Sequence, residues 1–422
     1  MIFHTTRAYT PRVRRDAPGA WETTVTTTCD QPAQQASPRD HAGWLALARA
    51  TASGPGVDDP DGRHTGRPQP RGVEALRRAG LLALPIPARH GGGGATWCTA
   101  YQVVREVAAF NGDIGLLLGQ HYLLSWTPAL FGTKTGRERL WADAAAGGML
   151  WGGAPDPRDT SLTLTPRPHG GFTLDGTTAI TAGAVLADRL AVGATRAGTG
   201  EPLMVLVDPA GPGDARAEDG TAGAQNGTVL FAGAAVREDD VIGRPGPAAT
   251  ALLASAVQLM FAQLYVGIAE GALDAARAHA VGRPRPWPLG QARRTSGDAY
   301  LCGAYGGLLA QVRAARALAD RAVDDLAPAL HGAAGAAGRA GAPSREPAVL
   351  AATAKIAAAQ ASLAVASRVF ELAGAGSPRA RPGLARFWRY ARTLHDPVAY
   401  RQAEVGREFL TGEFPPERKA PP

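Results

Sequence analysis

Apolar positions along the chain change period twice, and the changes divide it into three folded regions. From Ala42 to Ala52, Val73 to Ala79 and Ala100 to Leu124 the apolar residues recur at helical spacing. Turns rich in Gly and Pro, such as Ser53 to Gly56 and Gly91 to Gly94, separate these stretches. From Met149 the period becomes two. Leu162, Leu164 and Phe172, Leu174 flank Gly170-Gly171, the signature of a hairpin. Leu190 to Val192, Leu203 to Val207 and Val229 to Phe231 predict further short strands, with Asp208 to Gly227 as a long Gly/Asp/Ala loop between the last two.

After Pro247 the helical period returns in longer runs. Leu301, Tyr305, Leu308, Val312, Ala315, Ala319, Ala322 and Leu326 alternate spacings of four and three, which predicts one apolar stripe on one helix. Val349, Thr353, Ile356, Gln360, Leu363, Ser367 and Phe370 repeat that spacing on a second helix, entered by Pro347 and stopped by Gly374. With a helix over Ala248–Ala280 and a fourth over Pro397–Leu410, these predict a four-helix bundle. Gly267 and Gly271 lie one turn apart and would let a neighbouring backbone approach closely. The Ala/Gly-rich stretch from Gly332 to Pro343 reads as the connection between the second and third of these helices. The expected fold is mostly α with a small β-domain. A tail covers residues 1–40, an N-terminal helical domain 41–148, a central β-barrel or sandwich 149–245, and a C-terminal four-helix bundle 246–422 with its own tail.

Composition narrows the function classes. The 422 residues are 45% hydrophobic and 19% charged, which fits a globular protein and excludes wholesale disorder. The net charge of +7 invites a nucleic-acid reading, but the basic residues are scattered rather than gathered on one face with aromatics between them. Only Lys134, Lys355 and Lys419 are lysine, so the abundance of arginine reflects coding bias and is not a functional signal. Cys29, Cys98 and Cys302 are odd in number, far apart and in no CxxC pair, so neither a disulfide framework nor a zinc site is expected. The N-terminus lacks the apolar core of a secretory signal, and a cytoplasmic setting is expected. The uncharged stretch Pro245–Ala269 contains Ser255, Gln258, Gln263 and Tyr265, so a buried core helix is expected there rather than a membrane span.

The order helical domain, small β-domain, four-helix bundle resembles the acyl-CoA dehydrogenase superfamily. Gln258 to Arg277, Arg285-Pro-Trp287, Arg386-Phe-Trp-Arg389 and Arg392-Thr-Leu-His-Asp-Pro-Val-Ala-Tyr400 resemble its dibenzothiophene monooxygenase branch over about residues 42–415. The resemblance implies a flavin-dependent monooxygenase of a two-component system. A separate flavin reductase would deliver reduced FMN, with FAD as the alternative. O2 would react through a flavin C4a-hydroperoxide to oxygenate a small apolar aromatic or heteroatom-containing molecule. The absence of a GxGxxG after a strand fits a borrowed reductant. The resemblance also implies a homotetramer; neither nucleic acid nor membrane is an expected partner.

Residue by residue, Asp396 can cap a helix begun by Pro397, which leaves free N–H groups and the positive dipole end beside His395. His395 would then either finish that cap or, as the resemblance implies, serve as the active-site histidine facing flavin. The chain is shorter between Arg392 and His395 than the family pattern, and a second histidine is missing there. A lone His121 would ordinarily be a satisfied structural residue; the resemblance instead places it catalytically at the substrate and flavin pocket. Tyr122 and Trp126 would wall that pocket or belong to the core. Arg285 falls where the family's flavin-phosphate arginine stands, with Arg283 close enough to substitute.

The flavin cradle departs most from the pattern. Trp151-Gly-Gly-Ala-Pro155 replaces Trp-Thr-Gly-Asn-Ala, so a flavin-contacting asparagine becomes Ala154. The family serine near flavin N5 falls at Ala182, beside Thr181, which strand alternation would turn to the other face unless the strand bulges. An arginine expected after Ala375 is Gly376. Two other readings compete. An acyl-thioester dehydrogenase would need a carboxylate base, for which Glu270 and Glu371 are the helical candidates. A repurposed scaffold would bind a ligand without activating oxygen.

Overall fold

The computed structural model describes residues 39–54, 57, 70–154, 156, 159, 161–181, 183–211, 214–218, 227–281, 297–335, 344–373, 380–393 and 398–414. The N-terminal tail therefore lies outside the described residues, apart from Arg39 and Asp40. Asp40 caps α1 (His41–Ala52) by accepting from the Gly43 N–H at 2.7 Å. α2 (Pro70–Arg78), α3 (Trp97–Ala108), α4 (Gly112–Ser125), α5 (Thr127–Phe131) and α6 (Lys134–Gly147) complete the first region. The long apolar run predicted over Ala100–Leu124 is two helices. Asn111 adopts an extended backbone and accepts from the N–H groups of Asp113 and Ile114, so its side chain restarts the helix and turns the chain.

Eight strands follow: β1 (Trp151–Gly153), β2 (Leu162–Pro166), β3 (Phe172–Ile180), β4 (Arg189–Arg196), β5 (Pro202–Val207), β6 (Asp214–Glu218), β7 (Gly227–Val236) and β8 (Val241–Gly243). They form one mixed sheet in the order β6-β7-β3-β2-β4-β5-β8, with β1 pairing parallel to β4. The β2–β3 hairpin sets Leu164 opposite Leu174, the register its alternation predicts. β6, paired antiparallel to β7, stands inside the stretch expected to be loop. Leu162, Leu164, Leu174, Val192, Val205, Val207, Val229 and Phe231 share one apolar cluster, so the sheet curls around a single core.

The last region holds α7 (Pro247–Val281), α8 (Ala299–Gly335), α9 (Arg345–Ala373), α10 (Ala380–Thr393) and α11 (Ala399–Thr411). α8 runs through Gly335, so part of the expected connection is helix. The fourth helix of the bundle is also corrected. α10, with Leu384, Phe387, Tyr390 and Ala391 buried, packs on α7 and α9, whereas α11 buries none of its residues. α7 and α9 are apolar and long enough to cross a membrane, but the apolar window of α7 is 78% buried inside the fold, which makes it a core helix. Gly267 and Gly271 do admit a neighbouring backbone: a Cβ at either would run into the carbonyl oxygen of Arg105 or Ala109 on α3.

That helix contact is reinforced by a buried charge network. Arg105 of α3, 1% exposed on its side chain, donates to the Asp320 carboxylate on α8 at 2.5 Å and to Gln263 Oε1 on α7 at 2.9 Å. A charge removed from water this far is tolerated because its partners are also fixed in place.

Candidate functional site

Two of the segments expected to cradle a flavin are brought together by backbone pairing. The Thr181 N–H donates to the Gly153 carbonyl at 2.8 Å, and the Ala154 N–H donates to Ala191 O at 3.1 Å. Thr181, directly after the end of β3, is buried like Ile180 rather than left to solvent. Gly153 has φ of 134°, and a Cβ there would collide with Ala191 O, which explains a glycine at this point of the cradle. Two polar groups in these segments are buried without a partner among the described residues: the Trp151 indole N–H and the Thr181 hydroxyl. Buried donors are ordinarily satisfied, so each of the two has a hydrogen bond left to make. Ala154, 7% exposed, offers a methyl group where the family pattern has an amide.

β1 is held from behind. Asp188 accepts from the Leu150 N–H at 2.7 Å and pairs with Arg77 at 3.1 Å, an anchor that no periodicity or motif in the chain announces. The Trp151 N–H donates to His121 Nδ1 at 2.9 Å, and His121 Nε2 donates to the Leu82 carbonyl at 2.6 Å. A carbonyl can only accept and a backbone N–H can only donate, so these partners fix the tautomer with the proton on Nε2. Burial pushes the imidazole down to about 4, and the ring is neutral at physiological pH.

This geometry gives His121 a structural task in the protein itself. Both ring nitrogens are in use and the residue is 1% exposed, so it has no free nitrogen to offer a substrate; it positions β1 instead. Tyr122 and Trp126 are likewise buried with their polar atoms engaged. The Tyr122 hydroxyl donates to Leu81 O at 2.8 Å and the Trp126 indole to Leu330 O at 3.1 Å. Trp126 lies within an aromatic cluster, tilted against Trp141 at 4.7 Å and edge-to-face with Trp97 at 5.4 Å. Both are core residues.

The remaining expected site residues, His395, Arg285, Ala182, Ala375 and Gly376, lie outside the described residues, as do Arg283, Asp396 and Pro397. The two candidate dehydrogenase bases are described. Glu270 is engaged by Arg316 at 3.1 Å, and burial raises its carboxyl. Glu371 is exposed and faces Arg368 at 3.7 Å. Neither stands with a free carboxylate beside the cradle segments.

Family models support the same architecture. Residues 49–148 match the acyl-CoA dehydrogenase N-terminal domain and residues 259–399 the acyl-CoA dehydrogenase C-terminal domain. A dibenzothiophene monooxygenase of Rhodococcus qingshengii is 33% identical over 375 residues, 81% of this chain and 87% of the relative. A probable FMNH2-dependent monooxygenase, SfnC, of Pseudomonas putida is 33% identical over 354 residues, 81% of this chain and 88% of the relative. The structure of TdsC from Paenibacillus sp. A11-2 in complex with FMN and indole superposes with a TM-score of 0.77 at 30% identity, covering 89% of this chain and 99% of that one. The chain belongs to the dibenzothiophene monooxygenase family within the acyl-CoA dehydrogenase fold.

Proposed function

We propose that this protein is a two-component flavin monooxygenase that takes reduced FMN from a separate reductase in the cytoplasm and uses O2 to oxygenate a small apolar aromatic or heteroatom-containing molecule. The observation that carries the reading is the pair of unpartnered donors, Trp151 Nε1 and Thr181 Oγ, on segments tied together through the Thr181–Gly153 hydrogen bond. Relatives that act on dibenzothiophene or bind FMN and indole supply the flavin and the substrate class. Bound reduced FMN supplies the electrons that activate O2.

The chain's own residues then have limited tasks. Thr181 would supply a hydroxyl to a bound flavin in place of the one missing at Ala182. Trp151 would donate its indole N–H, and the methyl group of Ala154 would add an apolar wall. His121 keeps the cradle strand in register through the Trp151 N–H. His395 and Arg285 complete the reading as the proton-handling and phosphate-binding groups. The engaged states of Glu270 and Glu371 disfavour the dehydrogenase alternative.

A homotetramer is part of this proposal. Its support is the outer row of α9, where Val349, Ile356, Leu363 and Phe370 remain partly exposed. Anaerobic titration with reduced FMN or FADH2, followed by admission of 18O2 with dibenzothiophene or indole, tests the activity. Tight binding of reduced FMN and one labelled oxygen in the product are expected; no flavin binding and no label would sink the reading.

A further inference from the structure

We infer that the N-terminal helical layer carries a second binding site, for a small oxyanion of the phosphate or sulfate type, built by Arg137 and His90 against Trp141. Arg137 on α6 is 3% exposed, yet its Nε and Nη1 are sealed from solvent with no acceptor. Its guanidinium lies over the Trp141 ring, 5.6 Å from the centroid. The His90 ring approaches the same indole at 5.7 Å, and its Nε2 is likewise buried without a partner. Trp126 lies tilted against Trp141 at 4.7 Å and closes that part of the indole to anything else.

The surroundings lack a counter-charge in contact. Arg89, exposed beside His90, adds a second guanidinium, and burial together with Arg89 and Arg137 lowers the His90 pKa. Glu138 is the carboxylate that bears on both His90 and Arg137, but among the described residues it forms no ion pair with either. A buried guanidinium without an acceptor is unfavourable, and one multi-oxygen anion can satisfy several of these nitrogens at once. Chloride offers no such span.

The test is calorimetric titration of the purified full-length protein with sodium phosphate and sodium sulfate against sodium chloride at equal ionic strength. Saturable binding at one site per chain is expected for the oxyanions. Arg137→Met should weaken it about tenfold, and His90→Phe or Arg89→Met about threefold. The inference is overturned if the oxyanions act no differently from chloride. It is equally overturned if His90→Phe and Arg89→Met, each shown to unfold at the parent's temperature, both bind as tightly as the parent. Binding that appears only when the protein is diluted to monomers would assign these nitrogens to a carboxylate of a second copy and overturn it too.

Discussion

α8 and α9 carry apolar rows of identical spacing, and the fold uses them in opposite ways. On α8 the row from Leu308 through Val312, Ala315, Ala319 and Ala322 to Leu326 is buried. On α9 the matching row leaves Val349, Thr353, Ile356, Leu363, Ser367 and Phe370 partly exposed and Gln360 fully so. The buried face of α9 is instead Ala351, Ala354, Ala358, Ala361 and Val365 with Ala352, Ala359 and Ala366. α9 lies against α7, α8 and α10 together, and its buried residues are mostly alanine, with Lys355, Val365, Val369 and Leu372 as the larger side chains packed among them. Spacing establishes a helix; it does not by itself choose the face that goes inside.

The contrast can be broken most forcefully on α8. Leu326→Asp places an unpaired carboxylate at a position with no solvent exposure and should cost more than about 4 kcal/mol, read as loss of the cooperative unfolding transition. The next effect concerns a group the fold has consumed in the same sense. His121 is neutral when folded, with its pKa lowered to about 4, whereas in the unfolded chain it titrates near its ordinary value of about 6.5. Its contribution is therefore complete above about pH 6.5 and is lost as the pH falls toward 4, by up to roughly 3 kcal/mol. Urea unfolding across that range should show this slope, and His121→Gln should flatten it.

On α9 the two faces separate. Ala359→Leu, on the crowded side, should cost about 1–3 kcal/mol through overpacking. Leu363→Asp, on the outer row, should change the unfolding free energy of the protomer by under about 1 kcal/mol while moving its elution toward a smaller species in sizing chromatography. Equal costs for the two α9 substitutions would erase the distinction. The smallest expected effect is at the cradle. Thr181→Val should weaken reduced-FMN binding about fivefold with the melting temperature unchanged, because the hydroxyl it removes makes no bond within the protein.

Much of the architecture was legible because period is a local property. The hairpin around Gly170-Gly171, the α8 row and the close approach at Gly267 and Gly271 each depend on residues a few positions apart. The features that escaped depend on distant partners or on capping. The break between α3 and α4 rests on one asparagine, β6 exists because β7 offers an edge, and α10 is concealed by arginines and glycine in its apolar pattern. At the site, family resemblance brought Trp151, Thr181 and Ala154 into view. Whether His121 was free or engaged could not be read, since that depends on Leu82 O and the Trp151 N–H, 39 and 30 residues away.

The two glycines of α7 carry one more implication. Where α3 crosses α7, only hydrogen separates one main chain from the carbonyls of the other. Neither helix can glide along its neighbour without a collision, so the N-terminal layer and the bundle behave as a single rigid frame. Any widening that admits a bulky molecule must then come from loops around that frame, and a single added methyl at position 267 or 271 would act as a wedge felt far from where it is inserted.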